Sequence, residues 1–261
     1  MQDFYREVVE RLLRDRVLDL DMRVLVLCGG KTDQAVLQQC GLRNVVISNV
    51  AESAEGAFAP YEWSHQDAEQ LTYPDESFDF CIVHSGLHHC RSPHRALVEM
   101  YRVARKGLLL FEPYDNLVTR IGVKLKIGQE YEHASVYFNH GDHGGVNNSP
   151  IPNYVYRFTE HEIIKTIQAY APYAKHDIRF IHAMRIPWGQ LRARRNKTLY
   201  RLVWIGRPAL KLIEACFPKQ TNNFAAVVLK PRLPESLHPW LRQDGGEIVP
   251  NEAWMAAQYG K

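Results

Sequence analysis

At 261 residues, with 46% hydrophobic and 23% charged side chains and a formal charge of +3, the chain has an ordinary globular composition and can bury a sizeable core. The charge is too small to argue for a nucleic-acid partner, and no stretch approaches the roughly 18 uninterrupted apolar residues of a membrane span. The charged N-terminus through Arg16 lacks the apolar run of a signal peptide, which predicts a cytoplasmic protein, and five cysteines without a C-x-x-C pair point to reduced, mostly buried thiols.

Phe4, Val8, Val9, Leu12 and Leu13 are spaced as one helical face, so residues 2–17 read as an amphipathic leader helix that could close over a neighbouring site. The run Val24-Leu25-Val26-Leu27 then has the continuous apolar character of a parallel strand buried on both faces, and Gly29-Gly30 ends it. A short helix over 32–40, stopped by Gly41, leads into a second strand at Val45-Val46-Ile47. The alternation continues with a strand over Phe78–Val83 and a helix over Pro93–Ala104, capped by Ser92 with Pro93 in its first turn. A strand follows over Gly107–Phe111. Thr159 and Glu162 form a capping-box pattern before another helix, and strands near Asp177–Ala183 and Phe224–Leu229 complete the set.

Such alternation predicts an α/β, Rossmann-like doubly wound, mostly parallel sheet with helices on both faces. Residues 114–158 and 186–223, the second mostly helical, break the alternation and read as acceptor-side insertions forming a cap. The expected organisation is one domain over 1–230 and an extended C-terminal tail over 231–261.

In a doubly wound sheet the ligand lies beyond the carboxyl ends of the strands, where glycines admit its approach and a polar residue after the second strand meets ribose. Cys28, Gly29, Gly30 and Asn49 occupy those places. Downstream, the segment from Gln66 to Asp79 (QDAEQLTYPDESFD) followed by Leu87-His88-His89 resembles the class I S-adenosylmethionine-dependent methyltransferases, especially the methyltransferase type 11 group. The resemblance covers about residues 20–115 and implies S-adenosyl-L-methionine as cofactor. It makes Asp67 similar to the acid that takes the adenine amino group, and Ala68 to the residue whose backbone meets the ring. His84 falls where the family faces the methionine moiety and the acceptor. The first loop departs from the family pattern: Val26 stands for its acid, Cys28 for its first glycine and Thr32 for its third, while Asn49 replaces the ribose-binding acid. An amide there accepts one hydroxyl with less charge assistance.

Methyl transfer is a direct displacement, and a base is needed only for a hydroxyl or protonated amine. His84 is the residue expected to serve, with His88 and His89 near it and one of these two in a local helix-entry role. Glu112, at the end of the fifth strand, either points into the pocket or braces the long loop. His140, Asp142 and His143 are ligand types, but their spacing matches no zinc motif, so no metal is expected. The basic run Arg192, Arg194, Arg195, Lys197, Arg201, Arg207 and Lys211 reads as the solvated face of a cap helix, not an RNA or membrane surface.

The expected function is therefore methyl transfer from S-adenosylmethionine to a small-molecule acceptor, at oxygen. A non-catalytic, methyltransferase-like binding subunit with a degenerate glycine loop is the alternative, with RNA methylation behind it. A homodimer is left open.

Overall fold

The computed structural model describes residues 2–54 and 56–260, so the outermost residues of the two expected units, Met1 and Lys261, lie outside the described residues. Seven strands form the central sheet: β1 (Val24–Leu27), β2 (Val45–Asn49), β3 (Glu62–His65), β4 (Phe78–His84), β5 (Ala104–Pro113), β6 (Asp177–Ala183) and β7 (Asn223–Leu229). Their order is β3-β2-β1-β4-β5-β7-β6. The first five run parallel, and β7 lies antiparallel to both β5 and β6. This is the predicted doubly wound, mostly parallel sheet. Its winding reverses between β1 and β4, which opens a crevice at their carboxyl ends.

The period of two in a strand divides each apolar run between two cores. Leu25, Leu27, Cys81, Val83, Leu108 and Leu110 face one, packed beneath α3 (Pro93–Val103) and α6 (Glu160–Tyr170). Val24, Val26, Phe80, Ile82, Leu109 and Phe111 face the other, beneath α1 (Gln2–Arg14) and α2 (Lys31–Gln39). The runs are apolar throughout because both faces are covered. Gly41, at φ +82°, lies just beyond α2 as its stop.

Thr159 and Glu162 do form the capping box, with Thr159 N donating to Glu162 Oε2 at 2.7 Å and Glu162 N donating to Thr159 Oγ1 at 3.1 Å. Ser92 is a correction: it occupies the cap position of α3, but its side chain makes no capping bond. Glu69 instead holds the chain leading into the helix, accepting from Arg91 N and Ser92 N at 2.9 Å each. Edge strand β3 was missed, since Glu62-Trp63-Ser64-His65 is half-buried and lacks an apolar run.

The insertions hold α4 (Leu117–Lys124) and α5 (His133–Phe138) in the first, and α7 (Trp188–Ala193), α8 (Thr198–Ile205) and α9 (Arg207–Cys216) in the second. The tail is not extended: β8 (Leu241–Asp244) and β9 (Glu247–Pro250) make a hairpin turned by Gly245-Gly246, both at positive φ, and α10 (Glu252–Tyr259) follows. Of the cysteines, Cys81 is buried, Cys28, Cys40 and Cys90 are half-buried, Cys216 is exposed, and all are free.

Candidate cofactor and acceptor site

The loop after β1 is built around side-chain volume. Gly29 is obligatory for packing, because a Cβ there would sit 2.8 Å from Ile47 Cγ2 and 2.9 Å from Val26 Cγ1. Gly30 faces open space, so its backbone is reachable from the crevice. Cys28 takes φ +51°, a left-handed conformation that favours glycine. Room for its side chain comes from Gly86 at the other side of the crevice, where a Cβ would lie 2.5 Å from Cys28 Cβ. Asn49 holds the loop: its Nδ2 donates to Gly29 O at 3.1 Å and its Oδ1 accepts from Ala51 N at 3.3 Å. A carboxylate could accept the second bond but would repel the Gly29 carbonyl, which gives the amide at this position a physical reason.

Behind the loop, Asp33 is buried at the start of α2 and accepts from Gly30 N at 2.9 Å. Its other oxygen and the Tyr5 hydroxyl, both buried, make no other hydrogen bond. Burial pushes the Asp33 carboxyl up to about 6, against the Gly30 amide and the Tyr5 hydroxyl that favour its ionised form. A carboxyl raised in the fold destabilises the folded state as it ionises, so stability falls as pH rises from about 4 through 6. Asp33→Asn keeps an acceptor for Gly30 and has no charge to bury. It is expected to raise stability at pH 7 by about 1–2 kcal/mol and to flatten that pH window, as read by urea denaturation. A variant less stable than the parent at pH 7 would contradict this account.

The segment 66–79 folds as a clamp that presents Asp67 and Ala68. Gln66 Oε1 accepts from Thr72 N at 3.0 Å, closing the loop on itself. Arg102 binds the carbonyls of Leu71 and Tyr73 at 3.0 and 2.8 Å, and Glu99 accepts from Leu71 N at 2.9 Å. Asp79 accepts from Arg23 N at 3.0 Å; burial opposes its charge, but Arg105 and Lys106 hold its carboxyl down at about 2. Most of the motif is thus scaffold. Asp67 stays exposed to the crevice, with Oδ1 accepting from Glu69 N at 2.9 Å, and Ala68 is buried beside it.

At the carboxyl end of β4, His84 stacks on Tyr5 of α1 with ring centroids 4.6 Å apart and a 7° tilt, and meets Phe111 edge-on. The leader helix therefore packs behind His84 through Tyr5, and the two cavities described below are lined by residues from Cys28 onward. Burial, with the positive charges of Arg185 and His88, pushes His84 down to about 3. In this fold its ring is thereby held neutral.

A cluster of titratable groups lies one turn further on. Glu112 is fully buried and braces the 3-10 turn Leu87–His89: Oε1 accepts from Gly86 N at 3.0 Å and Leu87 N at 2.8 Å, and Oε2 lies 2.6 Å from His88 Nδ1. Of the two readings open for Glu112, bracing is the one its position fits, although what it braces is the His88 turn. His88 Nε2 lies 3.3 Å and His89 Nε2 3.5 Å from Oε2 of Glu132, at the start of α5. Burial works against the charged form of His88, but Glu112 and Glu132 outweigh it and push it up to about 10. Burial and the charge on His88 pull His89 below its ordinary value. Glu132, 43 residues beyond His89, belongs to the stretch Glu130-Tyr131-Glu132-His133, whose ligand-type side chains stand out in the sequence, but nothing there pairs it with His88 and His89. Among the described residues His140, Asp142 and His143 do not gather into a ligand set; His88, His89 and Glu132 do.

Two cavities meet here. One of about 190 Å³ is lined by Asn49, Asp67, Ala68, Ser85 and Cys90, and is roofed by Ser135, Gly144 and Asn147 of the first insertion. The other, about 710 Å³, reaches from Gly29, Gly30 and His84 past His88, His89 and Glu132 to α4 and α8, with Arg157 and Arg185 in its wall. Cys28, Asn49, Ser85 and His89 line both. A larger groove, about 1100 Å³, touches neither the glycine loop nor His84. The basic run is also revised: α8 and α9 expose Leu202, Trp204, Ile205 and Leu212 between their arginines, so this face is amphipathic and not simply solvated.

A doubly wound sheet with an acid-bearing clamp and a glycine loop at its switch point defines a Rossmann-like cofactor-binding protein. Residues 27–111 match the family model described as "Methyltransferase domain". The segment is 33% identical over 78 residues to a ubiquinone/menaquinone biosynthesis C-methyltransferase of Hydrogenovibrio crunogenus, covering 30% of this chain and 31% of that protein. The corresponding protein of Xanthomonas campestris is 34% identical over 98 residues, 33% of this chain and 39% of that one. The match thus spans only about a third of each relative's length. In fold, the chain resembles magnesium protoporphyrin IX methyltransferase from Synechocystis, crystallised with S-adenosylhomocysteine, at a TM-score of 0.52 and 15% identity, over 88% of this chain and 83% of that one.

Proposed function

We propose that the chain transfers the methyl group of S-adenosylmethionine to an oxygen of a small acceptor with an apolar body. The observation that carries this reading is the junction of the two cavities at Cys28, Asn49, Ser85 and His89. The smaller, with Asp67 and Ala68, suits the adenine end of the cofactor; the open backbone at Gly30 suits its methionine end. The cofactor supplies an electrophilic methyl carbon. The larger cavity has the volume of a small-molecule pocket. Val118, Ile121, Leu125, Ile186 and Val203 offer an apolar lining, and Ile121 and Leu125 are also exposed at its rim. Arg185 has no ion-pair partner among the described residues and suits an oxygen-rich or anionic end of the acceptor.

His84, neutral and stacked, positions the acceptor. His89 and Glu132 are the groups placed to receive a hydroxyl proton. The family relatives are named as C-methyltransferases, but the match covers the cofactor half alone, and the acceptor side is built from residues beyond it. Methylation at carbon is therefore an outcome that product analysis would separate.

Calorimetry with S-adenosylhomocysteine tests the cofactor step. Asp67→Ala is expected to weaken binding at least tenfold without changing the fold read by circular dichroism. Equal affinity in parent and variant would place the adenine end elsewhere. A second reading, binding without turnover, is favoured by one observation: Asn49 spends both polar atoms on the loop. Single-turnover transfer of a labelled methyl group to any acceptor would remove that reading.

A further inference from the structure

We propose that His88, His89 and Glu132 form a divalent transition-metal site in the wall of the acceptor cavity, with Glu112 and the Gly145 carbonyl as its outer shell. The argument is one of donors and acceptors. Oε2 of Glu112 can only accept, so Nδ1 of His88, 2.6 Å away, keeps a proton in either charge state, and a metal that displaces the second proton finds the lone pair at Nε2. His89 Nδ1 faces Gly145 O at 3.3 Å, another group that only accepts, so the His89 lone pair is also at Nε2. Both Nε2 atoms are directed at one carboxylate oxygen, Glu132 Oε2, which is buried and makes no hydrogen bond.

Three ligand atoms thus converge, all within 4.8 Å of one another. A proton on one nitrogen answers one contact; a cation between the three answers all. Metal–ligand bonds of about 2.0–2.2 Å at tetrahedral angles put ligand atoms about 3.3–3.6 Å apart, and the two separations to Glu132 are 3.3 and 3.5 Å. Two imidazoles and one carboxylate, with remaining positions open, suit zinc, manganese, iron(II) or cobalt(II) better than magnesium or calcium. Glu112 would act through His88 as a positioning residue, fixing its tautomer.

All three side chains line the 710 Å³ cavity, so the open positions face the acceptor. The ligand class they would take is an oxygen donor, a hydroxyl or enol whose ionisation the metal promotes. That use rests on the methyltransferase reading; the existence of the site does not.

The test is titration of chelator-stripped protein with cobalt(II) and zinc(II), followed by d–d absorbance and calorimetry. One equivalent bound at micromolar affinity is expected, falling ten- to hundredfold in His89→Ala and Glu132→Gln, whose half-exposed side chains make folding losses small and checkable by melting. His140→Ala with His143→Ala is expected to leave affinity unchanged. Absence of stoichiometric binding, or binding that survives both ligand variants, overturns the proposal. Binding of S-adenosylhomocysteine, measured separately, tells the two readings apart: S-adenosylhomocysteine bound without metal removes the metal site alone, and metal bound without S-adenosylhomocysteine removes the methyltransferase reading alone.

Discussion

Replacing Glu112 by alanine is expected to lower folding stability by about 3–5 kcal/mol, among the largest effects of any single substitution outside the apolar core. The carboxylate is fully buried and takes three donors, the amides of Gly86 and Leu87 and the His88 ring. Truncation leaves two amides unsatisfied and removes the anion that supports charge on His88. The pH dependence gives a second readout. His88 is raised to about 10 in the fold, so its contribution is fully present below its ordinary value of 6.5 and is lost as pH rises through about 10. In the alanine variant that slope is expected to flatten. Glu112→Gln keeps one oxygen for the two amides but turns its NH2 toward His88, so an intermediate loss is expected. Urea denaturation at pH 7 and pH 9.5 checks all of this; a loss under about 1 kcal/mol in the alanine variant would mean that the turn is held by other contacts.

Gly86→Ala is expected to cost about 1–3 kcal/mol and at least tenfold in S-adenosylhomocysteine affinity, by driving the Cys28 loop into the crevice. The added Cβ would lie 2.5 Å from Cys28 Cβ and 3.0 Å from Val83 Cγ2. Removing the first of these obstacles is the informative step. With Cys28→Gly in the same chain the main clash disappears, and φ +51° at residue 28 becomes a conformation the residue adopts freely. The double variant is therefore expected to recover most of both losses, a coupling of about 1–3 kcal/mol in the cycle. Additive losses would show that Gly86 is required for a reason unrelated to Cys28. The expected coupling recasts the altered loop as one half of an exchange: a side chain at position 28, where the resemblance implies glycine, fits because position 86 has none.

What the sequence determined alone is the cofactor half. Four apolar runs alternating with capped, amphipathic helices admit few arrangements, because each strand must be covered on both faces and right-handed crossovers restrict the order. The Gln66–Asp79 segment was legible because its members are close in sequence: the clamp around Asp67 is closed by local bonds such as Thr72 to Gln66, with Arg102 and Glu99 of the next helix. The weak edge strand β3 was not legible, since half-buried Glu62–His65 carries no apolar signature. Neither was the tail hairpin, whose strands face solvent on nearly every residue.

Only the tertiary structure decided what the polar residues do. His84 reads as a base from its place at the strand end, and only the fold stacks Tyr5, 79 positions earlier, on its ring. Glu112 reads equally as pocket or brace until its three donors are counted. Glu132 stands in a run of ligand-type side chains, Glu130 to His133, but its partners are set only where the first insertion folds back to put its carboxylate beside two imidazoles. Apolar burial repeats with the period of the backbone and can be read along the chain. A site depends on which lone pairs and charges come within a few ångströms of one another, and chain folding over long separations sets that.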